Sequence, residues 1–223
     1  MTGPQLKASR EQRQWNQQQL ARRLGVSQAY VSLLERGLRP LPADLVDRLA
    51  AFLDLPATAL PLRVDEPLDS ASATQAVGTL GYDGFAYLRD RRPANPAEVL
   101  LRTLGADQLD ARVVESLPWL VRTYADMDWD WVVPRAKQAD LQNRLGFVVS
   151  VARGRAEADR ELQTTAVLRT LEARLENSRL QKQDAFGKSS MTNAEERWLQ
   201  EHSSPEARHW NMLSTLTAHT SQP

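Results

Sequence analysis

The 223-residue sequence contains no cysteine, carries no net charge and has no long hydrophobic run. The absence of cysteine excludes disulfides, thiolate metal sites and cysteine nucleophiles. No segment approaches the roughly 20 apolar residues of a membrane-spanning helix, and the first residues lack the apolar core of a secretory signal. We therefore expect a cytoplasmic protein without a membrane anchor.

The balanced charge conceals a difference between the two ends of the chain. Residues 1–62 contain eight basic and five acidic residues, a net charge of +3, whereas the remainder carries −3. A basic excess on a small N-terminal segment favours phosphate binding, and an acidic remainder would be repelled by a nucleic-acid duplex. The distribution indicates two modules with different partners.

Helix start and stop signals predict an all-α protein of two domains. Asn16 with Gln19 forms a capping-box pattern, Ser27 is a further N-cap, and Gly25 and Gly37 are suited to end helices. Such signals predict a five-helix N-terminal domain. The segment that follows is rich in Asp, Ser, Ala and Thr, as is typical of an exposed linker. The predicted organisation is a domain over 1–62, a linker over 63–80 and a larger helical domain over 81–223.

Within the larger domain, three features of the sequence lead to specific predictions. Residues 156–182 lack glycine and proline and predict one helix of about 25 residues. Pro118 is expected to split or kink a helix. The aromatic residues from Tyr82 to Tyr87 fit either a short strand or a helical turn, because periodicity alone does not separate the two.

Residues 17–37, QQQLARRLGVSQAYVSLLERG, combine a small residue where two helices cross, a glycine in the turn, and apolar residues on the second helix facing the first. These are Ala21, Gly25, and Val31 with Leu34. The segment resembles the helix-turn-helix of the Cro/C1-type (XRE) regulators, and the resemblance extends from about Leu6 to Leu55. It implies a lambda-repressor-like DNA-binding domain that acts as a homodimer on a pseudo-palindromic operator in double-stranded DNA.

The resemblance also places Arg10 and Glu35 where this family often pairs an arginine with a glutamate. A phosphate contact by Arg10 is the alternative. If Val31 and Leu34 are buried, helical geometry directs Ala29, Ser32, Leu33 and Arg36 outward, with Gln28 at the edge of that face.

We expect the third helix to lie in the major groove. Gln28, which matches a base-reading glutamine of the family, is the candidate for a bidentate contact to adenine. Ala29 and Leu33 are candidates for contact with a thymine methyl, and Ser32 for a groove edge or a phosphate. The predicted phosphate contacts, which position the protein without reading sequence, are Gln17, Arg10, Arg36 and Arg39.

Elsewhere the sequence offers little chemistry. The alternating acids of residues 126–131 resemble the start of an EF-hand, but Trp131 stands at the position of the glycine and Lys137 at that of the last glutamate, so calcium binding is rejected. Arg197 and His202 superficially resemble the motif of HEPN-type ribonucleases, although one such pair is expected by chance. No nucleotide cofactor or metal is expected. Trp129 and Trp131 are expected to pack beneath the acids or, alternatively, to contact a partner.

These observations favour a sequence-specific DNA-binding transcription regulator that is not an enzyme and acts as a repressor. By analogy with the family, the leading variant is an antitoxin whose C-terminal domain binds a toxin protein. A ligand- or peptide-sensing regulator and, more distantly, an RNA-cleaving enzyme with a DNA-binding domain are the alternatives.

Overall fold

The computed structural model describes residues 2–50, 52–53, 55–63, 66–88, 94–187 and 191–218. The chain divides into two compact units, Met1–Arg63 and Val64–Pro223. Across the described residues the regular structure is helical, with no β-strand and a single isolated bridge between Asp184 and Met212. The predicted all-α class is confirmed. None of the described helices is both long and apolar enough to cross a membrane.

Local capping determines where the helices of the first unit begin. The side chain of Asn16 accepts a hydrogen bond from the Gln19 backbone N–H, and the Gln19 side chain accepts one from the Asn16 backbone N–H, as the capping-box pattern predicts. Ser27 caps the next helix by accepting from the Tyr30 backbone at 3.1 Å. The helices of this unit are α1 (Gly3–Gln12), α2 (Gln17–Leu24), α3 (Gln28–Glu35) and α4 (Ala43–Ala50), followed by a 3-10 helix (Ala57–Ala59).

The first unit is held together by one cluster of leucine-rich side chains. Burying such side chains removes apolar surface from water, which is the main favourable contribution to folding. Helix α3 contributes only one side to this cluster, so its opposite side is left facing away from the core. The buried members are Leu6, Leu20, Ala21, Leu24, Val31, Leu34, Leu45, Leu49 and Leu53.

The second unit is a larger helical bundle organised around one central helix. Helix α9 is buried on nearly all sides, and Gly146 within it allows the ring of Trp210 to approach so closely that a Cβ would lie 2.3 Å from a ring carbon. The helices are α5 (Ser70–Thr79), α6 (Pro96–Leu104), α7 (Ala111–Thr123), α8 (Trp129–Gln138), α9 (Gln142–Ala158), α10 (Leu162–Glu176), α11 (Asn193–His202) and α12 (Pro205–His209), with a 3-10 helix (Asp83–Leu88) after α5.

The prediction of a single helix over 156–182 is wrong. Helix α9 ends and α10 begins on either side of Arg160, whose φ of +60° interrupts the right-handed helix. The carboxylates that flank Arg160 in sequence both pair with Arg122 of α7. The break is therefore accompanied by a contact between distant parts of the chain, which a local absence of glycine and proline does not reveal.

The prediction of an exposed linker over 63–80 is also wrong for its second half, which forms α5. The side chain of Asp69 accepts from the Ser72 backbone at 2.7 Å and caps this helix. Ala73 and Val77 are fully buried. Small residues allow α5 to pack closely, and they also give the segment the composition of a linker.

Two smaller questions from the sequence are answered by the fold. The aromatic segment from Tyr82 onward forms a 3-10 helix rather than a strand, and the Tyr82 and Phe85 rings meet edge to face with centroids 5.1 Å apart. Pro118 lies inside α7, which is continuous from Ala111 to Thr123. The expected division of this region into two helices does not occur.

Candidate nucleic-acid interface

Helices α2 and α3 are joined by a tight turn that fixes their crossing. Gly25 ends α2 with a φ of +66°, a left-handed conformation that glycine adopts without steric cost. Val31 and Leu34 are fully buried, and Ala21 provides the small side chain that close packing of the two helices needs. The buried side of α3 is therefore the one that the sequence indicates.

The residues expected to read bases lie away from the core. Gln28 and Ala29 at the start of α3 are exposed, and Ser32 and Leu33 one turn later are half-buried. Arg36 at the end of the helix and Arg39 beyond it are exposed. These positions form a stripe of polar and small side chains along α3, and their contacts with DNA stay a prediction.

The side chain of Gln28 is held in place by a hydrogen bond to Gln17, the first residue of α2. Gln28 Nε2 donates to Gln17 Oε1 at 2.9 Å, and Gln17 Nε2 donates to Glu35 Oε2 at 2.9 Å. This arrangement uses one amide hydrogen of Gln28. Its carbonyl oxygen and second amide hydrogen form the pair of groups that a bidentate contact to adenine requires.

Glu35 connects this surface pair to a buried arginine. Arg10 Nε donates to Glu35 Oε1 at 2.6 Å, and Arg10 Nη2 donates to Glu35 Oε2 at 3.1 Å. The hydrogen bonds that Arg10 donates to Glu35 raise the pKa of Arg10 above its ordinary value. The four side chains of Arg10, Glu35, Gln17 and Gln28 thus form a continuous chain of hydrogen bonds from the interior to the outer side of α3.

The Arg10–Glu35 pair expected from the family is confirmed, and the alternative expectation that Arg10 contacts a phosphate needs correction. Arg10 is only 7% exposed. Its third nitrogen, Nη1, donates to the Trp15 carbonyl oxygen at 2.6 Å. Because all three guanidinium nitrogens are engaged inside the unit, Arg10 positions Glu35 rather than reaching a duplex.

The sequence did not indicate that Glu35 also binds Gln17. The sequence offered both glutamines as separate DNA contacts and Glu35 only as the partner of Arg10. Glu35 is the last residue of α3, two helical turns beyond Gln28, and Gln17 is the first of α2. Gln28 and Glu35 are seven residues apart and therefore share one face of α3, which is the signal from which the link could have been found.

The tryptophans proposed as partner contacts in the second unit are occupied within it. Trp129 Nε1 donates to the Ala125 carbonyl oxygen at 2.8 Å, and the guanidinium carbon of Arg135 lies 4.4 Å from the centroid of the Trp131 ring. Both side chains are half-buried, and Asp128 caps the helix that they begin. The structure favours packing at a helix start and disfavours an exposed tryptophan pair.

The pair suggestive of a ribonuclease is not assembled into a site. Arg197 and His202 are five residues apart on α11, which separates their directions by about 140°. The His202 ring instead stacks on Trp198 with centroids 4.5 Å apart. Among the described residues no group of three or more His, Asp or Glu side chains is arranged to hold a metal ion.

Comparison with known proteins points to the helix-turn-helix segment of the first unit. Residues 6–60 match the model of a helix-turn-helix family. Two curated relatives, both described as uncharacterised HTH-type transcriptional regulators of Mycobacterium tuberculosis, from strains CDC 1551 and H37Rv, are each 35% identical over 79 residues. The matches cover 34% of this chain, which spans 56% of the length of each relative.

No solved structure matches the chain significantly. The family match therefore concerns the first unit, and it coincides with the segment whose buried and exposed sides agree with the motif. Residues 6–60 form a helix-turn-helix domain of the Cro/C1 (XRE) type.

Proposed function

We propose that the protein is a sequence-specific DNA-binding transcription regulator whose helix α3 enters the major groove. The observation that carries the proposal is the hydrogen bond from Gln28, on the outer side of α3, to Gln17, the first residue of α2. Holding Gln28 in place before binding reduces the conformational entropy lost when it contacts a base. The printed descriptions of the Mycobacterium tuberculosis relatives as transcriptional regulators support the same role.

In this proposal Gln28 contacts an adenine, while Ala29 and Leu33 contact apolar groups of neighbouring bases. Gln17, Arg36 and Arg39 bind phosphates, which provides orientation and affinity without sequence information. The +3 charge of residues 1–62 supports this attraction to the backbone.

A single small domain buries little surface on DNA, so two copies on a pseudo-palindromic operator are the expected functional form. We propose that binding represses transcription by blocking a promoter. In the antitoxin variant, the acidic second unit would bind a toxin protein. Co-expression with the product of an adjoining reading frame should then yield a stable complex.

A ligand-sensing regulator is the second candidate function. The specific observation in its favour is an arginine, Arg155, that the second unit buries with two of its nitrogens unpartnered.

The proposed function is tested by comparing Gln28→Ala with the wild-type full chain on a site selected from a random duplex library. We expect the substitution to cost about 1–3 kcal/mol on the selected site and little on a scrambled duplex. The measurement is an equilibrium titration at fixed salt concentration, because non-specific affinity depends strongly on salt.

Arg39→Ala is the matched control for a phosphate contact. It should weaken binding to both duplexes equally and lower the salt dependence of the affinity by about one counterion. If Gln28→Ala weakened binding equally on every sequence, Gln28 would not read a base and the proposed orientation of α3 would be wrong.

A further inference from the structure

Glu35 fixes the order of donors and acceptors in the chain of hydrogen bonds that ends at Gln28. Arg10 Nε and Nη2 donate to its two carboxylate oxygens, and Gln17 Nε2 donates to Oε2. Glu35 is only 5% exposed and is paired with a guanidinium. An ionised carboxylate accepts hydrogen bonds and has none to donate. Each side chain that bonds to Glu35 must therefore present a donor to it.

This constraint is passed on to Gln17. A glutamine amide turned by half a revolution exchanges its oxygen and its nitrogen with little change in shape. In Gln17 that turn would bring Oε1 against the Glu35 carboxylate, so two acceptors would face each other. Glu35 therefore keeps Nε2 of Gln17 directed inward and leaves Oε1 for the next residue. Gln28 must then donate through Nε2, which it does at 2.9 Å.

A fixed amide on Gln28 distinguishes the two purines. In the major groove adenine presents an acceptor at N7 and a donor at N6, whereas guanine presents acceptors at both N7 and O6. The fixed amide offers its oxygen and its free amide hydrogen in one order only. If that order fits adenine, the Gln28 oxygen would face O6 of a guanine in the same place. A turned amide would instead present its nitrogen to O6.

We propose that Glu35 is a positioning residue that sets the preference of Gln28 for adenine over guanine. It acts through the amide orientation of Gln17 and does not itself contact DNA. The inference rests on the proposed function, since it takes Gln28 to contact a base. It adds that the choice of base depends on the carboxylate of a buried residue seven positions along the same helix.

The first test is Glu35→Gln in the full chain, which keeps the size of the side chain and adds a donor. The measured quantity is the ratio of dissociation constants for two duplexes at the same salt concentration. One is the selected site, and the other carries G·C in place of the A·T pair whose discrimination Gln28→Ala abolishes. The wild type should discriminate about 10- to 100-fold.

In Glu35→Gln the ratio should fall to about threefold or less, because the two amide orders then differ by no more than one neutral hydrogen bond. The new amide at position 35 is able to donate to Gln17, which reverses the order along the chain. Circular dichroism establishes that the variant is folded under the conditions of the titration.

An exchange variant separates positioning from a structural role. Combining Gln17→Glu with Glu35→Gln puts the carboxylate at position 17 and leaves the net charge unchanged. That carboxylate accepts from both of its neighbours, so Gln28 must again donate through Nε2. Discrimination should return to about 10-fold or more, although the buried ion pair of Arg10 is still absent. A purely structural role of Glu35 predicts the same loss in both variants.

Gln17→Met keeps the test decisive if Glu35→Gln does not fold. Gln17 is half-buried at the start of α2, and its replacement frees the Gln28 amide without changing the pair of Arg10 and Glu35. Discrimination should fall as in Glu35→Gln. Gln18→Met changes the exposed neighbour in the same way and should keep the wild-type ratio.

The outcomes distinguish this inference from the proposed function. Wild-type discrimination in Glu35→Gln or Gln17→Met would overturn the inference alone, and so would an exchange variant no better than Glu35→Gln. If Gln28→Ala abolished discrimination at no base pair, the proposed function would fail, and this inference with it. That failure is seen without any substitution at position 35.

Discussion

Each unit of the protein buries an arginine on a helix, and the two arginines differ completely in their partners. Arg10 and Arg155 are both 7% exposed. Arg10 donates to Glu35, Glu11 and the Trp15 carbonyl oxygen, whereas two nitrogens of Arg155 have no acceptor. The role of a buried charged side chain is therefore revealed by its hydrogen-bonding partners and not by its burial alone.

The difference in partners gives the two arginines different roles in their units. In the first, the buried pair of Arg10 and Glu35 also holds Gln17, and through it Gln28 at the surface. The arginine thereby supports a site that lies elsewhere. In the second, Arg155 supports no such chain, because its buried Nε and Nη1 donate to no acceptor of the described residues.

The largest expected effect comes from removing the partner of Arg10. Glu35→Ala should lower the free energy of unfolding of the first unit by about 3–5 kcal/mol, because it leaves a buried guanidinium without its counter-charge. Urea unfolding of the full chain, followed by backbone circular dichroism and resolved into the transitions of the two units, measures the change. A loss below about 1 kcal/mol would contradict the role assigned to the pair.

Glu11→Ala is the control for this prediction. Glu11 also contacts Arg10, but about half of its side chain is exposed. Exposed ion pairs contribute little, so the expected cost is below about 1 kcal/mol. Equal losses in the two variants would mean that burial of the carboxylate does not decide how much its contact with Arg10 stabilises the first unit.

An intermediate effect, of opposite sign in the two units, should follow from replacing each arginine by methionine. Arg10→Met leaves Glu35 buried without its cation and should be destabilising. Arg155→Met removes an uncompensated charge and should stabilise the second unit, by about 1 kcal/mol or more. Parallel melting curves of the two variants provide the measurement. A loss of stability in both would remove the distinction between the two sites.

The smallest effect concerns Arg122, whose partners are partly exposed. Its hydrogen bonds to Glu161 lower the pKa of that carboxyl below its ordinary value. The folded state therefore holds the proton less tightly than the unfolded state. The resulting stability is present above the ordinary glutamate pKa of about 4.3 and is lost as the pH falls through the lowered folded value.

Glu161→Gln should accordingly cost less than about 1 kcal/mol near neutral pH and should reduce the loss of stability between about pH 5 and pH 3. Unfolding curves of the variant and the wild type across this range test the prediction. An unchanged pH dependence would show that Glu161 does not contribute to acid sensitivity.

The parts of the fold that could be predicted from sequence are those determined by neighbouring residues. The capping box at Asn16 and the N-cap at Ser27 form as their local patterns predict. The buried side of α3 also follows from the spacing of Val31 and Leu34. In each case the relevant partners lie within about one helical turn in the chain.

The incorrect predictions involve contacts between distant residues. The end of α9 coincides with pairing of Arg122 to residues about 40 positions away, and α5 packs through small side chains that resemble a linker. Arg155 gave no signal at all, because arginine in a helix is ordinarily exposed. Only the three-dimensional arrangement shows that it is buried and that its Nε and Nη1 lack acceptors.

The most direct measurement of the central claim is the affinity of the full chain for a selected duplex relative to a scrambled duplex at the same salt concentration. If α3 reads bases, the selected site should be bound about 10³-fold or more tightly. The binding isotherm should indicate two copies per pseudo-palindromic site. A ratio near one would show that the first unit binds DNA without reading its sequence, or not at all.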